Sequence, residues 1–204
     1  MKIVVLAESP ADRAAIEIFA QAILDDEIEF ATVQPRTGGY HAVAAAIRPN
    51  LLHLHYQRSA DGLIVVVDSD GTPIEAGNTR GRVHLLLSEI QDIQSQLSSS
   101  EKAPAIKTAV GVAAPSIESW LLFGINKQCT EAGWVVRLND GQNTAVEIRQ
   151  LKKQLYGTDR PDINLETQVM IERAKAIIDE NRLETFMQSF PYGFKQLVSD
   201  LRAW

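Results

Sequence analysis

Five apolar residues in a row, Leu63-Ile-Val-Val-Val67, run straight into Asp68-Ser-Asp-Gly71. An apolar run of that kind with no polar alternation reads as a strand buried on both faces, the type found in parallel sheets covered by helices. Lys2–Ala7, Ile28–Val33 and Thr108–Ala113 read as further strands, and amphipathic segments separate all four. This rhythm predicts an α/β fold, with a central parallel sheet of about four strands flanked by helices.

The first crossover is the clearest. Ser9 suits an N-cap and Pro10 a first helical position, while Ile16, Phe19, Ala20 and Ile23 recur at helical spacing. Tyr40–Tyr56, preceded by Arg36-Thr37-Gly38-Gly39, gives a second helix, and Arg82–Leu97, closed by Ser98-Ser99-Ser100, a third. After Ala113 the texture becomes helical, at Pro115–Ile125, Thr144–Tyr156, Leu165–Glu180 and Tyr192–Arg202, with one expected strand at Trp134–Leu138. Turn formers in Gly124-Ile-Asn-Lys-Gln-Cys-Thr-Glu-Ala-Gly133 place a soft boundary between an α/β part, residues 1–125, and a mostly helical C-terminal extension, residues 126–204, packed on it.

The 204 residues, 45% of them apolar, suffice for a sizeable core. No stretch of about 18 apolar residues occurs and the start lacks a signal pattern, so the expectation is a soluble, cytoplasmic protein with no membrane partner. Cys129 is the single cysteine, which excludes an internal disulfide and a thiolate zinc cluster. A net charge of -6 argues against coating DNA through a basic surface, so any nucleic-acid contact must be local or metal-mediated. Residues 1–140 hold 17 acids and 11 bases and residues 141–204 hold 9 of each, which puts the whole excess in the first part.

The acids at strand ends are the candidates for chemistry. Asp68 and Asp70, two apart in an extended segment, point the same way, and Gly71 lets the backbone turn away. In a parallel sheet the carboxyl ends of all strands share one edge, so Glu8, just after the first strand, should emerge beside them. No Lys or Arg lies within three residues of Asp68 or Asp70. Three gathered acids without cations repel, and a hard divalent cation relieves that repulsion.

Glu8 after strand one and Asp68-Ser-Asp70 after strand three resemble the pattern of the Toprim domain, shared by topoisomerases, bacterial primases and small nucleases, over roughly residues 1–125. Within that superfamily the chain most resembles the overcoming-lysogeny-defect nucleases and their small stand-alone bacterial relatives. Three segments carry this: Glu8-Ser-Pro-Ala-Asp12, Pro115-Ser-Ile-Glu-Ser-Trp-Leu-Leu122, and Ser189-Phe-Pro-Tyr-Gly-Phe194. The resemblance implies that Asp12 and Glu118 join Glu8, Asp68 and Asp70 as metal ligands for Mg²⁺ or Mn²⁺. It also implies hydrolysis of nucleic-acid phosphodiesters, DNA more than RNA, with a separate ATPase or other protein partner and a role in phage defence or repair. Ser9 departs from the Gly usual after the first Glu, and no ATPase domain is present in the chain.

Plainer roles compete at each position. Asp12 can serve the first turn of its helix, as Glu118 can serve the helix after Pro115, and Asp68-Ser-Asp-Gly71 can be an ordinary turn. Arg80 and Arg82 can meet a substrate phosphate or simply begin a solvated helix. Lys152 and Lys153 could bring a cation from the helical part, an option the sequence does not require. His53 and His55 are two apart on a helix and cannot face one ligand together, His41 and His84 stand alone, and Trp120 is expected to pack its helix on the sheet. Two other functions stay open. Val67-Asp-Ser-Asp-Gly-Thr72 resembles the first motif of haloacid-dehalogenase phosphatases, with Asp68 as nucleophile, although that motif normally follows strand one. The acidic charge also suits a non-catalytic scaffold that needs a partner.

Overall fold

The computed structural model describes residues 1–25, 27–31, 38–57, 59–74, 80–98, 106–126, 130–179 and 182–204. Four strands, β1 (Lys2–Leu6), β2 (Glu29–Ala31), β3 (Gly62–Asp68) and β4 (Lys107–Ala113), form one all-parallel sheet in the order β2-β1-β3-β4. Val4 lies opposite Leu63, Leu6 opposite Val65, and Asp68 opposite Ala113. The expected strand boundaries hold to within one or two residues, except that β2 ends at Ala31, and 32–33 lie outside the described residues, as do 36–37, 99–100, 129 and 180.

Alternation along the strands builds two cores. Ile3, Val5, Ile64, Val66, Ala109 and Ala113 face α1 (Pro10–Leu24) and the C-terminal helices. Val4, Leu6, Leu63, Val65, Val67, Val110 and Val112 face the helices α2 (Tyr40–Gln57) and α3 (Arg82–Ser98). Because β2 lies on one side of β1 and β3 on the other, the connections part between β1 and β3. In open α/β sheets the crevice at the carboxyl ends of such a pair is where ligands bind.

After β4 come α4 (Ile117–Leu121), α5 (Glu131–Asn139), α6 (Ala145–Tyr156), α7 (Ile163–Asp179), α8 (Leu183–Ser189) and α9 (Gly193–Arg202). The strand expected at Trp134–Leu138 is therefore part of helix α5. Its buried residues Glu131, Trp134, Val135 and Leu138 follow helical spacing, and that stripe overrides the strand propensity of the Val-Val pair. The helix expected over Pro115–Ile125 is only five residues long. Turns follow Leu121, and Gly124, at φ +82°, takes a left-handed conformation that ends it. Helix α8 was not anticipated at all.

The C-terminal helices share the core of the sheet: α7 lies along α1, and α9 lies on β4. Phe186, Phe190 and Phe194 close on Phe19, Trp120 and Phe123 in a fully packed aromatic cluster. Trp120 packs its helix on the sheet as expected and is fully buried. Helix α9 also covers the outer edge of β4, which would otherwise present unpaired backbone groups. Asp200 accepts the Val110 N–H at 3.0 Å, and the Trp204 indole N–H donates to the Thr108 carbonyl. The close approach requires Gly193, where a Cβ would collide with the Val112 carbonyl.

Candidate functional site

Glu8 leaves the tip of β1 just before Ser9, whose Oγ accepts the Asp12 N–H and fixes the start of α1. This turn brings Glu8 and Asp12 to the same sheet edge. Asp68 ends β3 beside them: Glu8 Oε1 accepts the Asp68 N–H at 2.8 Å, tying the tips of β1 and β3 together. Asp68 Oδ1 in turn accepts the N–H of Ile117 at 2.9 Å, which ties β3 to the first residue of α4. Glu118, the next residue, is almost wholly buried, and its Oε2 accepts the Ser116 hydroxyl at 2.6 Å.

These four acids line a cavity of about 190 Å³, with Ser9, Gly39, Lys152, Glu166 and Met170 completing the wall. A larger groove of about 560 Å³ between α1 and α7 is lined mainly by apolar residues such as Ile18, Phe30 and Ile178. It lies away from the strand tips and holds no comparable cluster.

The acids shift one another. Burial pushes the Asp12 carboxyl up to about 7, with Glu118 and Glu8 adding repulsion against the Ser9 hydrogen bond. Asp68 is raised well above the carboxylate range by burial first, then by Asp12, Glu118 and Glu8. Glu8 is raised by burial, a shift opposed by its bond to the Asp68 N–H and by the Arg82 charge.

Asp70 does not join this wall. The chain is no longer extended after Asp68: Thr72 N–H donates to the Ser69 carbonyl, and Asp70 and Gly71 both have positive φ, +47° and +81°. In that tight turn Asp70 is exposed at the rim, near enough to raise Glu8 but not lining the cavity. Of the two arginines, Arg80 is exposed, whereas Arg82 is buried beside the site. His53 and His55 of α2 diverge, with His53 exposed and His55 buried.

Three residues from the helical part enter the site. Lys152 Nζ lies 3.4 Å from Glu118 Oε1 and 3.8 Å from Glu166. One turn along α6, the Tyr156 hydroxyl donates to the same Glu118 oxygen at 3.4 Å. Burial acts to lower Lys152, but Glu118, Glu166 and Asp68 outweigh it and hold the ammonium charged. Burial and Glu118 together raise the Tyr156 phenol, so it stays a donor. Neither Glu166 nor Tyr156 was singled out in the sequence. Glu166 sits one turn into α7, whose start Asp162 caps, and such an acid reads as ordinary helix chemistry.

The donor set suits a hard divalent cation. Its possible ligands are carboxylates, since the Lys152 ammonium has no lone pair, and Glu8 and Asp68 each commit one oxygen to a fixed N–H, which orients the other. As they stand, however, no three or more His, Cys, Asp or Glu among the described residues are arranged to hold a metal ion. The chemistry therefore fits a cation, and binding one would require the second oxygens of Glu8 and Asp68 to close on it and Glu118 to give up a contact to Lys152, Tyr156 or Ser116. Comparison of the chain with protein-family models, with curated proteins and with solved structures gave no match.

Proposed function

We propose that the cavity is the centre of a Mg²⁺- or Mn²⁺-dependent phosphodiesterase acting on nucleic acid, DNA in preference to RNA. One observation carries this reading: acids from the ends of β1 and β3 and from the start of α4 gather at the sheet's switch point around one lysine, and burial raises the proton affinity of Glu8, Asp12 and Asp68 among them. Groups that hold protons this far above their ordinary range have a strong electrostatic demand for a cation. The resemblance of Glu8, Asp68 and Asp70 to the Toprim pattern adds the substrate class.

In this reading Asp68 and Glu118 would hold the cation, Glu8 would join them or move a proton, and Asp12 and Asp70 would complete the field from either side. A bound Mg²⁺ or Mn²⁺ would supply an activated water and stabilise charge on the leaving oxygen. Lys152 and Tyr156 fix the direction of Glu118. The test is Mn²⁺-supported cleavage of supercoiled plasmid by the wild type beside Asp68→Ala. Cleavage by the wild type and its loss in the variant are expected, and equal cleavage by both would overturn the assignment.

A second reading has an observation of its own. Lys152 already offsets Glu118, and no ligand set is preformed among the described residues, as a non-catalytic scaffold with a self-neutralised pocket would require. Purified protein that binds no Mn²⁺, cleaves neither DNA nor RNA and copurifies with another chain would establish it.

A further inference from the structure

Arg82 is a buried cation that forms no ion pair among the described residues. It opens α3 and is only 9% exposed. Its Nη2 donates to the Ser69 carbonyl at 3.2 Å, and its Cζ stacks 3.6 Å above the Tyr40 ring centre. Its Nε is buried and meets no acceptor, and among the described residues no carboxylate forms an ion pair with it. The nearby Glu8 carboxylate feels the Arg82 charge but spends Oε1 on the Asp68 N–H and makes no ion pair with the guanidinium. A desolvated guanidinium without a direct ion pair is expensive, and a spare buried donor adds to the cost. Such a group is retained where an anion arrives from outside.

The position of the stack shows where that anion would sit. Tyr40 is the first residue of α2, an 18-residue helix with no acid in its first turn. The N–H groups of Tyr40 and His41 have no acceptor inside the helix, and the positive end of the helix favours an anion there. Gly38 and Gly39 hold this end against the cavity. A Cβ at Gly38 would lie 3.1 Å from the Glu8 carbonyl, and Gly39, at φ +87°, is itself part of the cavity wall. The positive end of α2, the Arg82 guanidinium and the acid cavity therefore adjoin. Helix α9, whose first turn also lacks an acid, has its N-terminus filled by Glu131.

We propose that Arg82 and the first turn of α2 form a phosphate subsite beside the carboxylate cavity, which takes a backbone phosphate of the nucleic-acid strand. A planar guanidinium fork with two helix N–H groups matches a tetrahedral oxyanion. It also answers how a chain of net charge -6 brings a polyanion to an acidic pocket, through a local cation instead of a basic surface. The inference rests on the phosphodiesterase reading for the identity of the strand, but the subsite can be tested without it.

The experiment is titration of ¹⁵N-labelled protein with inorganic phosphate in EDTA, read at the Tyr40 and His41 amides and the Arg82 Nε–H resonance. The wild type should show saturable shifts confined to these groups. Arg82→Lys, which keeps the charge and loses the fork and the stack, should weaken binding about tenfold, with Arg82→Gln as the second variant should the lysine form fold poorly. Asp68→Asn should bind phosphate at least as tightly as the wild type, because it removes a repelling charge, while losing metal-dependent cleavage. No saturable shift at these resonances in the wild type, or shifts that the folded Arg82 variants leave unchanged, would overturn the subsite. A wild type that binds phosphate there yet cleaves no nucleic acid would leave the subsite standing and remove the cavity's assignment.

Discussion

Two buried carboxylate environments in this molecule differ in what surrounds them. Glu131, fully buried at the start of α5, accepts the N–H groups of Tyr192 and Gly193 at 2.6 and 2.9 Å, so one acid closes the N-terminus of α9 and latches the C-terminal helix to the rest of the fold. In the cavity, Glu8, Asp12, Asp68 and Glu118 face one another and share Lys152. Burial raises acids in both places, to about 7 for Glu131 and about 7 for Asp12. The partners differ: the latch spends its oxygens on a helix end that needs them, whereas the cavity sets like charges together at a cost to the fold. The first arrangement explains itself structurally. The second calls for a ligand.

Removing the two kinds of acid should have opposite signs. Glu131→Ala leaves two buried N–H groups unsatisfied and should destabilise by about 3 kcal/mol in denaturant unfolding. Asp68→Asn keeps an oxygen for the Ile117 N–H and removes a charge, so the metal-free protein should gain about 1–2 kcal/mol. A loss of stability in Asp68→Asn would mean that the cavity charges are satisfied within the chain, and the contrast would disappear.

The pH dependence sharpens the same contrast. Asp12 and Glu131 have folded-state values above their unfolded ones, so the folded chain holds more protons than the unfolded chain between roughly pH 4 and pH 7. Stability of the metal-free protein should therefore fall as pH rises through that window and level off above it. Thermal melts from about pH 5 to pH 8 measure this slope. Saturating Mn²⁺ should flatten the part due to the cavity and leave the part due to Glu131, whereas Glu131→Gln should do the reverse.

The smallest effect concerns Lys152, about a third exposed and shared between Glu118 and Glu166. Lys152→Met should destabilise the metal-free protein by about 1 kcal/mol, with the difference shrinking as the pH falls. A variant as stable as the wild type across the whole range would show that Lys152 does not offset the cavity.

How much of this the sequence discloses depends on chain distance. The strands and the meeting of Glu8 with Asp68 follow from local patterns: an unbroken Leu63–Val67 run, a capped first helix, and acids placed directly after strands. Asp12 and Glu118 reach the cavity because each lies within a few residues of a strand end. Asp70 does not line it, because the Asp-Gly pair bends the chain one residue too early for the extended-strand argument to apply. Tyr156 and Glu166 were out of reach, and Lys152 stayed one option beside Lys153, for a different reason. They come from α6 and α7, and which face of an amphipathic helix meets a distant strand tip is decided by tertiary packing, here of α7 along α1. The α5 error is of another kind, since the stripe Glu131, Trp134, Val135 and Leu138 was present and β-branched neighbours masked it.

The claim on which the rest depends is that these gathered acids form a cation site, and isothermal titration of the EDTA-treated protein with Mn²⁺ tests it most directly. Saturable binding by the wild type, weakened at least about tenfold in Asp68→Asn and untouched in Glu131→Gln, is the predicted result. Absence of binding in the wild type, or equal binding by the wild type and Asp68→Asn, would contradict it.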